Sequence, residues 1–202
     1  MKRIFSIILT FALCSAFIFA DEPGDEYDDG YVYTQNGEGD QFLKIELAGL
    51  FPLNFGSQIY PGAALSIGYY RFLTENLAVG GDAIVTYSLT IGEKSLVNVP
   101  VSFGVMFQPT INKFEFPLFA SIGFATVSCQ GMNYFPALSL KAEVGAFYRA
   151  TEAWSFGLSS NVFMISQFFA DTSKNDLGVF CTANLSARYH FWLYKYLIIL
   201  IL

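Results

Sequence analysis

Few side chains in this sequence could carry chemistry. His190 is the only histidine. A general base needs a nucleophile or an orienting acid within hydrogen-bond reach, and none can be assembled around His190 from spacing. Structural hydrogen bonding is therefore its reading, and no enzyme is expected. The sequence holds no cluster with metal-ligand spacing and no phosphate loop, so neither a metal nor another cofactor is expected. Of three cysteines, Cys14 lies in the first twenty residues, which leaves Cys129 and Cys181. A disulfide needs its Cα atoms within about 7 Å, and these two fall on different parts of the chain's pattern, so both read as free thiols. Six charged residues stand alone among small polar neighbours: Lys44, Glu46, Asp82, Lys141, Glu143 and Arg188. They could line a polar conduit or binding site. The simpler reading is that they pair with one another, because an unpaired buried charge is costly.

The elements that position these residues show in the stretch Leu77 to Phe107. Leu77, Val79, Ala83, Val85, Tyr87, Leu89 and Ile91 share one face; Ala78, Asp82, Thr86, Ser88 and Thr90 share the other. After the turn Gly92-Glu93-Lys94-Ser95, Val97 to Phe107 alternate in the same way. This is the period of a strand. Both segments exceed the 5 to 6 residues usual for soluble strands and reach the roughly 9 to 11 needed to cross a bilayer at a tilt. The large side chains lie on one face and Gly, Ala, Ser, Thr and Asn on the other, the reverse of a soluble barrel. Alternation continues over eight segments, with strand one near Leu43 to Phe51 and strand eight near Val179 to Phe191. The expected outer loops are Pro52 to Gln58, Ser128 to Tyr134 and Ala170 to Asp176. An open strand edge in lipid would leave peptide groups unsatisfied, so strand one must pair with strand eight. The fold expected is all-β, an eight-stranded antiparallel up-and-down transmembrane β-barrel in the bacterial outer membrane, with outer-membrane lipid around it.

Composition agrees: 53% of residues are hydrophobic and 14% charged. Lys2-Arg3, the apolar run Ile4 to Phe19 and Ala20 form a signal peptide, residues 1–20, with cleavage after Ala20 the first choice and after Ala16 the reserve. Residues 21–40 hold eight of the seventeen acids and read as an acidic disordered leader. Seventeen acids less these eight, and eleven bases less Lys2 and Arg3, leave nine of each. The barrel, residues 41–191, taken with the tail after it is therefore neutral, and no nucleic-acid partner is expected. An apolar tail, residues 192–202, is too short as a helix to cross a bilayer core of about 30 Å.

With an exported amino terminus, the turns near Thr74, Asn112 and Thr151 lie on the inner side. Tyr69, Phe107, Phe114, Tyr148, Trp154, Tyr189 and Phe191 then fall at one level, an aromatic girdle. The turn Tyr70-Arg71-Phe72-Leu73-Thr74-Glu75-Asn76, echoed by Tyr148-Arg149-Ala150-Thr151-Glu152, is similar to the inner turns of small outer-membrane barrels of the OmpW, OmpX and OmpA type. Leu185, Ala187, Tyr189 and Phe191 resemble the closing-strand signal read by the barrel-assembly machinery, which the resemblance makes a partner.

Resemblance to the OmpW type implies a narrow channel or binding site for small hydrophobic solutes. Resemblance to the OmpX type implies a structural or surface-interaction protein without transport. Phe51, Phe55, Tyr60, Tyr134, Phe135, Phe168 and Phe169 near the outer rim favour a greasy mouth. Leu50, Phe119, Phe147, Phe163 and Phe180 point inward and leave little open cross-section. A solute would leave sideways near Pro100 or Pro117, where a ladder hydrogen bond is missing.

Overall fold

The computed structural model describes residues 36–55, 58–130, 132–167 and 176–191. The expected signal peptide, most of the acidic leader and the tail after Phe191 lie outside them. The strands are β1 (Gln41–Pro52), β2 (Gly62–Phe72), β3 (Leu77–Leu89), β4 (Ser95–Phe107), β5 (Thr110–Ile111), β6 (Phe114–Glu115), β7 (Leu118–Cys129), β8 (Met132–Arg149), β9 (Trp154–Gln167) and β10 (Asp176–Phe191). All neighbours pair antiparallel. β1 meets β10 from Gln41↔Phe191 to Pro52↔Phe180, which closes the barrel and leaves no edge.

The wall has eight strands because β6 and β7 are one strand with a break. Phe114 faces Tyr148 and Leu118 faces Val144, a single register against β8. The break falls at Phe116-Pro117, where the proline has no N–H to donate. Its carbonyl still accepts from the Gly145 N–H at 3.1 Å. β5 is the other arm of the turn, and Asn112 there takes the positive φ of 55° that tight hairpins demand.

Parity sorts the side chains. Leu47, Val101, Phe103, Leu158 and Leu185 are 57 to 63% exposed on the outside, as lipid-facing positions should be. Lys44, Glu46, Asp82, Lys141, Glu143 and Arg188 are buried inside. A barrel apolar without and polar within satisfies its surface only in a bilayer.

Four expectations are corrected. Ser128 to Tyr134 is not a loop: Cys129↔Met132, Ser128↔Asn133 and Val127↔Tyr134 extend the β7–β8 ladder, with a bulge beside Thr126. Gln130 at a φ of 49° makes the tight turn, and a paired ladder keeps its own hydrogen bonds satisfied beyond the bilayer. The first outer loop is shorter than expected, since Leu53 N–H still donates to Val179 O at 2.8 Å and Gln58 O accepts from Ile91 N–H at 3.0 Å. The last strand begins at Asp176 rather than Val179. At the inner end Asn36 to Asp40, counted above with the leader, are folded. Gly39 N–H donates to Phe72 O at 2.9 Å, Phe72 N–H to Asp40 O at 2.8 Å, and Gly37 N–H to the Asp40 carboxylate at 2.6 Å.

Pro100 marks another irregularity. The β3–β4 pairs Ala83↔Val101 and Thr86↔Asn98 keep one register, yet the ladder is interrupted between them. Pro100 lies in that gap and cannot donate.

Candidate functional site

The middle of the lumen is occupied by buried, paired charges. Glu143 Oε1 accepts from Lys44 Nζ at 2.6 Å and Glu143 Oε2 lies 3.1 Å from Lys141 Nζ. Lys44 also meets Glu46 at 3.2 Å, and Lys141 donates to Asp82. Asp82 further accepts from Tyr70 at 3.0 Å and Ser102 at 2.8 Å. Glu46 accepts from Ser159 and Ser186, both at 2.8 Å. Five of the six charged candidates thus form one cluster, each with more than one partner, as charges out of water require.

Aromatic rings pack against these cations. Lys44 Nζ sits 5.3 Å over the Tyr70 ring, Lys141 Nζ 4.8 Å over Phe119, and the Arg188 guanidinium 3.4 Å over Phe147, all within cation–π range. Tyr70 has room because residue 68 is glycine. A Cβ there would lie 2.8 Å from the Tyr70 ring and 3.1 Å from the Asp82 Cβ. The small residues of the inner face therefore make space for a few large buried side chains.

Arg188 belongs to a second group nearer the inner end, built largely from residues outside the six charged candidates. Its Nη1 donates to Gln108 at 2.8 Å and lies 3.4 Å from Glu115. Arg149 meets Glu115 at 2.6 Å and donates to the Asn36 side chain at 2.8 Å. Glu115 shares parity with Lys141-type inward positions, lying between outward Phe114 and Phe116, and Arg149 follows Phe147 on the inward row; extending the alternation by one residue finds both. His190 is buried beside this group, 2.7 Å from Ser155 Oγ and 5.2 Å from the Phe42 ring.

The outer end is different. Leu50, Leu96, Ala125, Ala137, Phe163, Ile165 and Phe180 form an apolar layer, and above it opens a cavity of about 410 Å³. Phe55 lines it beside Phe180, with ring centroids 5.3 Å apart, and Phe163 stacks under Phe180 at 5.2 Å. Of the seven rim aromatics expected, Phe51 is exposed on the outside, Phe55 lines the cavity and Tyr134 packs on the apolar layer. Tyr60 and Phe135 are instead exposed, at 52% and 68%, because their parity and the β8 bulge turn them outward. Phe168 and Phe169 lie outside the described residues. Cys129, placed by the longer β7 at a strand end, lines the cavity as well. Cys129 and Cys181 are both free thiols.

On the outside at the inner end, Tyr69 and Phe191 (6.4 Å), Phe114 and Tyr148 (5.4 Å), and Trp154 and Tyr189 (5.0 Å) are ring neighbours. Leu185, Ala187, Tyr189 and Phe191 lie on the outward row of β10, where Leu185 and Tyr189 are exposed.

A protein-family model matches residues 23–189, most of the chain, and the chain belongs to that family. An uncharacterized protein of Treponema pallidum (strain Nichols) is 24% identical over 130 residues, covering 64% of this chain and 59% of that relative. This chain therefore spans less than two thirds of that relative's length. Among solved structures, Neisserial surface protein A (NspA) superposes with a TM-score of 0.62 at 11% identity, covering 76% of this chain and all of that one. The outer membrane protein OprG from Pseudomonas aeruginosa gives 0.55 at 10% identity, covering 79% and 100%. At such identities the likeness is one of fold: a small, closed, eight-stranded outer-membrane barrel. With an apolar exterior and a charged interior, the molecule resides in the bacterial outer membrane.

Proposed function

We propose that this small eight-stranded outer-membrane β-barrel protein holds small hydrophobic solutes in its outer mouth, above a lumen closed to hydrated ions. The observation that carries the reading is the cavity of about 410 Å³ seated on an apolar floor. Its size lies within the roughly 300 to 1,000 Å³ of ligand pockets. Apolar solute surface buried there gains about 25 cal/mol per Å². Beneath that floor, the paired lysines and carboxylates leave no charge free to conduct.

The way out for such a solute is sideways, between β3 and β4, where the ladder is interrupted beside Pro100. Leu96 and Asn98 line the cavity on the same strand, and the gap lies next along β4, just beyond the Thr86↔Asn98 pair. Pro100→Val, which supplies the missing donor, is expected to slow solute release into lipid several-fold in stopped-flow measurements. An unchanged rate would remove this route.

The test of the site itself is Gly178→Leu. Gly178 lines the cavity, and a Cβ there would lie 2.9 Å from the Phe180 ring and 3.0 Å from the Phe55 ring. A leucine fills the cavity and displaces both rings. The variant is expected to fold and to bind naphthalene at least about tenfold more weakly, a loss of about 1.4 kcal/mol. Equal binding by the two proteins would place the solute elsewhere. The structural or surface-interaction reading would then take its place.

A further inference from the structure

The lining of the outer cavity is mostly apolar, and its polar groups are unequal. Gln58 is exposed and Gln167 half-buried, whereas Asn98 is 1% exposed. Its backbone is fixed by Thr86, whose Oγ lies 3.3 Å from both the Asn98 N and O. This pair is where the β3–β4 ladder resumes beyond the Pro100 gap. With the backbone held, parity directs the carboxamide toward the barrel axis. Yet the carboxamide nitrogen of Asn98 is shielded from solvent and has no hydrogen-bond partner among the described residues. A buried donor left unsatisfied costs about 1 to 3 kcal/mol, so a group that accepts from it is favoured by the fold itself.

The chemistry of the missing acceptor is narrow. None of the described residues lining the cavity is charged, so neither an ammonium nor a carboxylate would find a counter-charge there. A ligand with donors alone cannot satisfy an N–H. An apolar body with one neutral acceptor fits the mostly apolar lining and its one buried, unpaired donor together.

We propose that the outer cavity is a site for neutral, largely apolar carbonyl compounds, with the Asn98 side-chain N–H donating to the carbonyl oxygen at the inner end of the cavity. This rests on the reading of the mouth as a solute site, and adds the class of solute and the residue that selects it.

The experiment compares 2-acetylnaphthalene with 2-isopropenylnaphthalene, which replaces the carbonyl oxygen by a methylene group of similar size. Both are titrated into the full-length protein refolded in phospholipid nanodiscs, with empty nanodiscs subtracted. The ketone is expected to bind about tenfold more tightly, the scale of one hydrogen bond to an otherwise unpaired donor, and Asn98→Leu is expected to abolish the preference while leaving the hydrocarbon bound. Equal binding of the two probes to the wild-type protein would overturn the proposal and leave the solute site standing. A preference that survives in Asn98→Leu would overturn it also, and binding of neither probe would overturn both readings. If Asn98→Leu fails to fold, the ketone labelled with carbon-13 at its carbonyl decides on the wild-type protein. A downfield shift relative to empty nanodiscs supports the hydrogen bond, and an unshifted resonance overturns it.

Discussion

Lys141→Met is expected to lower the unfolding free energy of the barrel by about 3 to 5 kcal/mol, the usual cost of removing one partner from a buried ion pair. Lys141 stands between Asp82 and Glu143, within a cluster of three carboxylates and two ammonium groups. Without it, Glu46, Asp82 and Glu143 share Lys44 alone, and Asp82 keeps only the Tyr70 and Ser102 hydroxyls. Methionine preserves the stem that packs along the lumen, so the loss reports charge, not volume. Adding Asp82→Asn should recover a large part of it, because the amide oxygen still accepts from one of those hydroxyls, its NH2 can donate to the other, and the uncompensated charge is removed. Urea titration of protein refolded in lipid vesicles, followed by tryptophan fluorescence, measures both variants. A loss under about 1 kcal/mol for Lys141→Met, the range of exposed pairs, would show that water reaches the cluster and that the lumen is not sealed.

Val101→Arg tests the other face. Val101 is the central residue of β4 and is 57% exposed, so its side chain meets the middle of the hydrocarbon core. Arginine at that depth costs about 2 to 4 kcal/mol, and near an interface about 0 to 1. Phe107→Arg, at the inner end of the same strand, is therefore expected to fold with much the smaller loss. Equal refolding yields for the two in vesicles would mean that the outward row of β4 is not in lipid, or that its middle is not at the midplane.

Alternation alone made the wall legible. The parity of Leu43, Ile45 and Leu47 against Lys44 and Glu46 is a local property, and so is the switch at each turn. It identifies which charges face inward without saying which meet. Lys44 finds Glu143 across ninety-nine residues, a contact set by the stagger of strands around a closed barrel, which no window of sequence contains. Glu115 and Arg149 escaped for a smaller reason. Glu115 lies inside the expected strand, between outward Phe114 and Phe116, and was passed over beside the proline; Arg149 stands at the start of a turn, one residue past the expected strand. Asn36 was hidden in an acidic stretch whose composition argues for disorder, although Gly39 and Asp40 hold it to Phe72.

The alternating pattern marks Ser102 as inward without showing what it touches. In the structure Ser102 is buried, donates to Asp82 and accepts from Ser121 at 2.9 Å. The outer cavity was visible only in outline. Rim aromatics suggested it, yet Tyr60 and Phe135 turn away, and the residues that shape it, Leu96, Ile165 and Gly178, carry no sequence signal apart from their inward parity.

Planar-bilayer conductance of the refolded protein, with and without naphthalene, tests most directly whether a solute-binding mouth stands over a closed lumen. The structure predicts no steady current in potassium chloride, because hydrated ions must pass Phe163, the Lys44–Glu143–Lys141–Asp82 chain and the Arg188 guanidinium stacked on Phe147. A large, steady conductance that naphthalene leaves unchanged would contradict it.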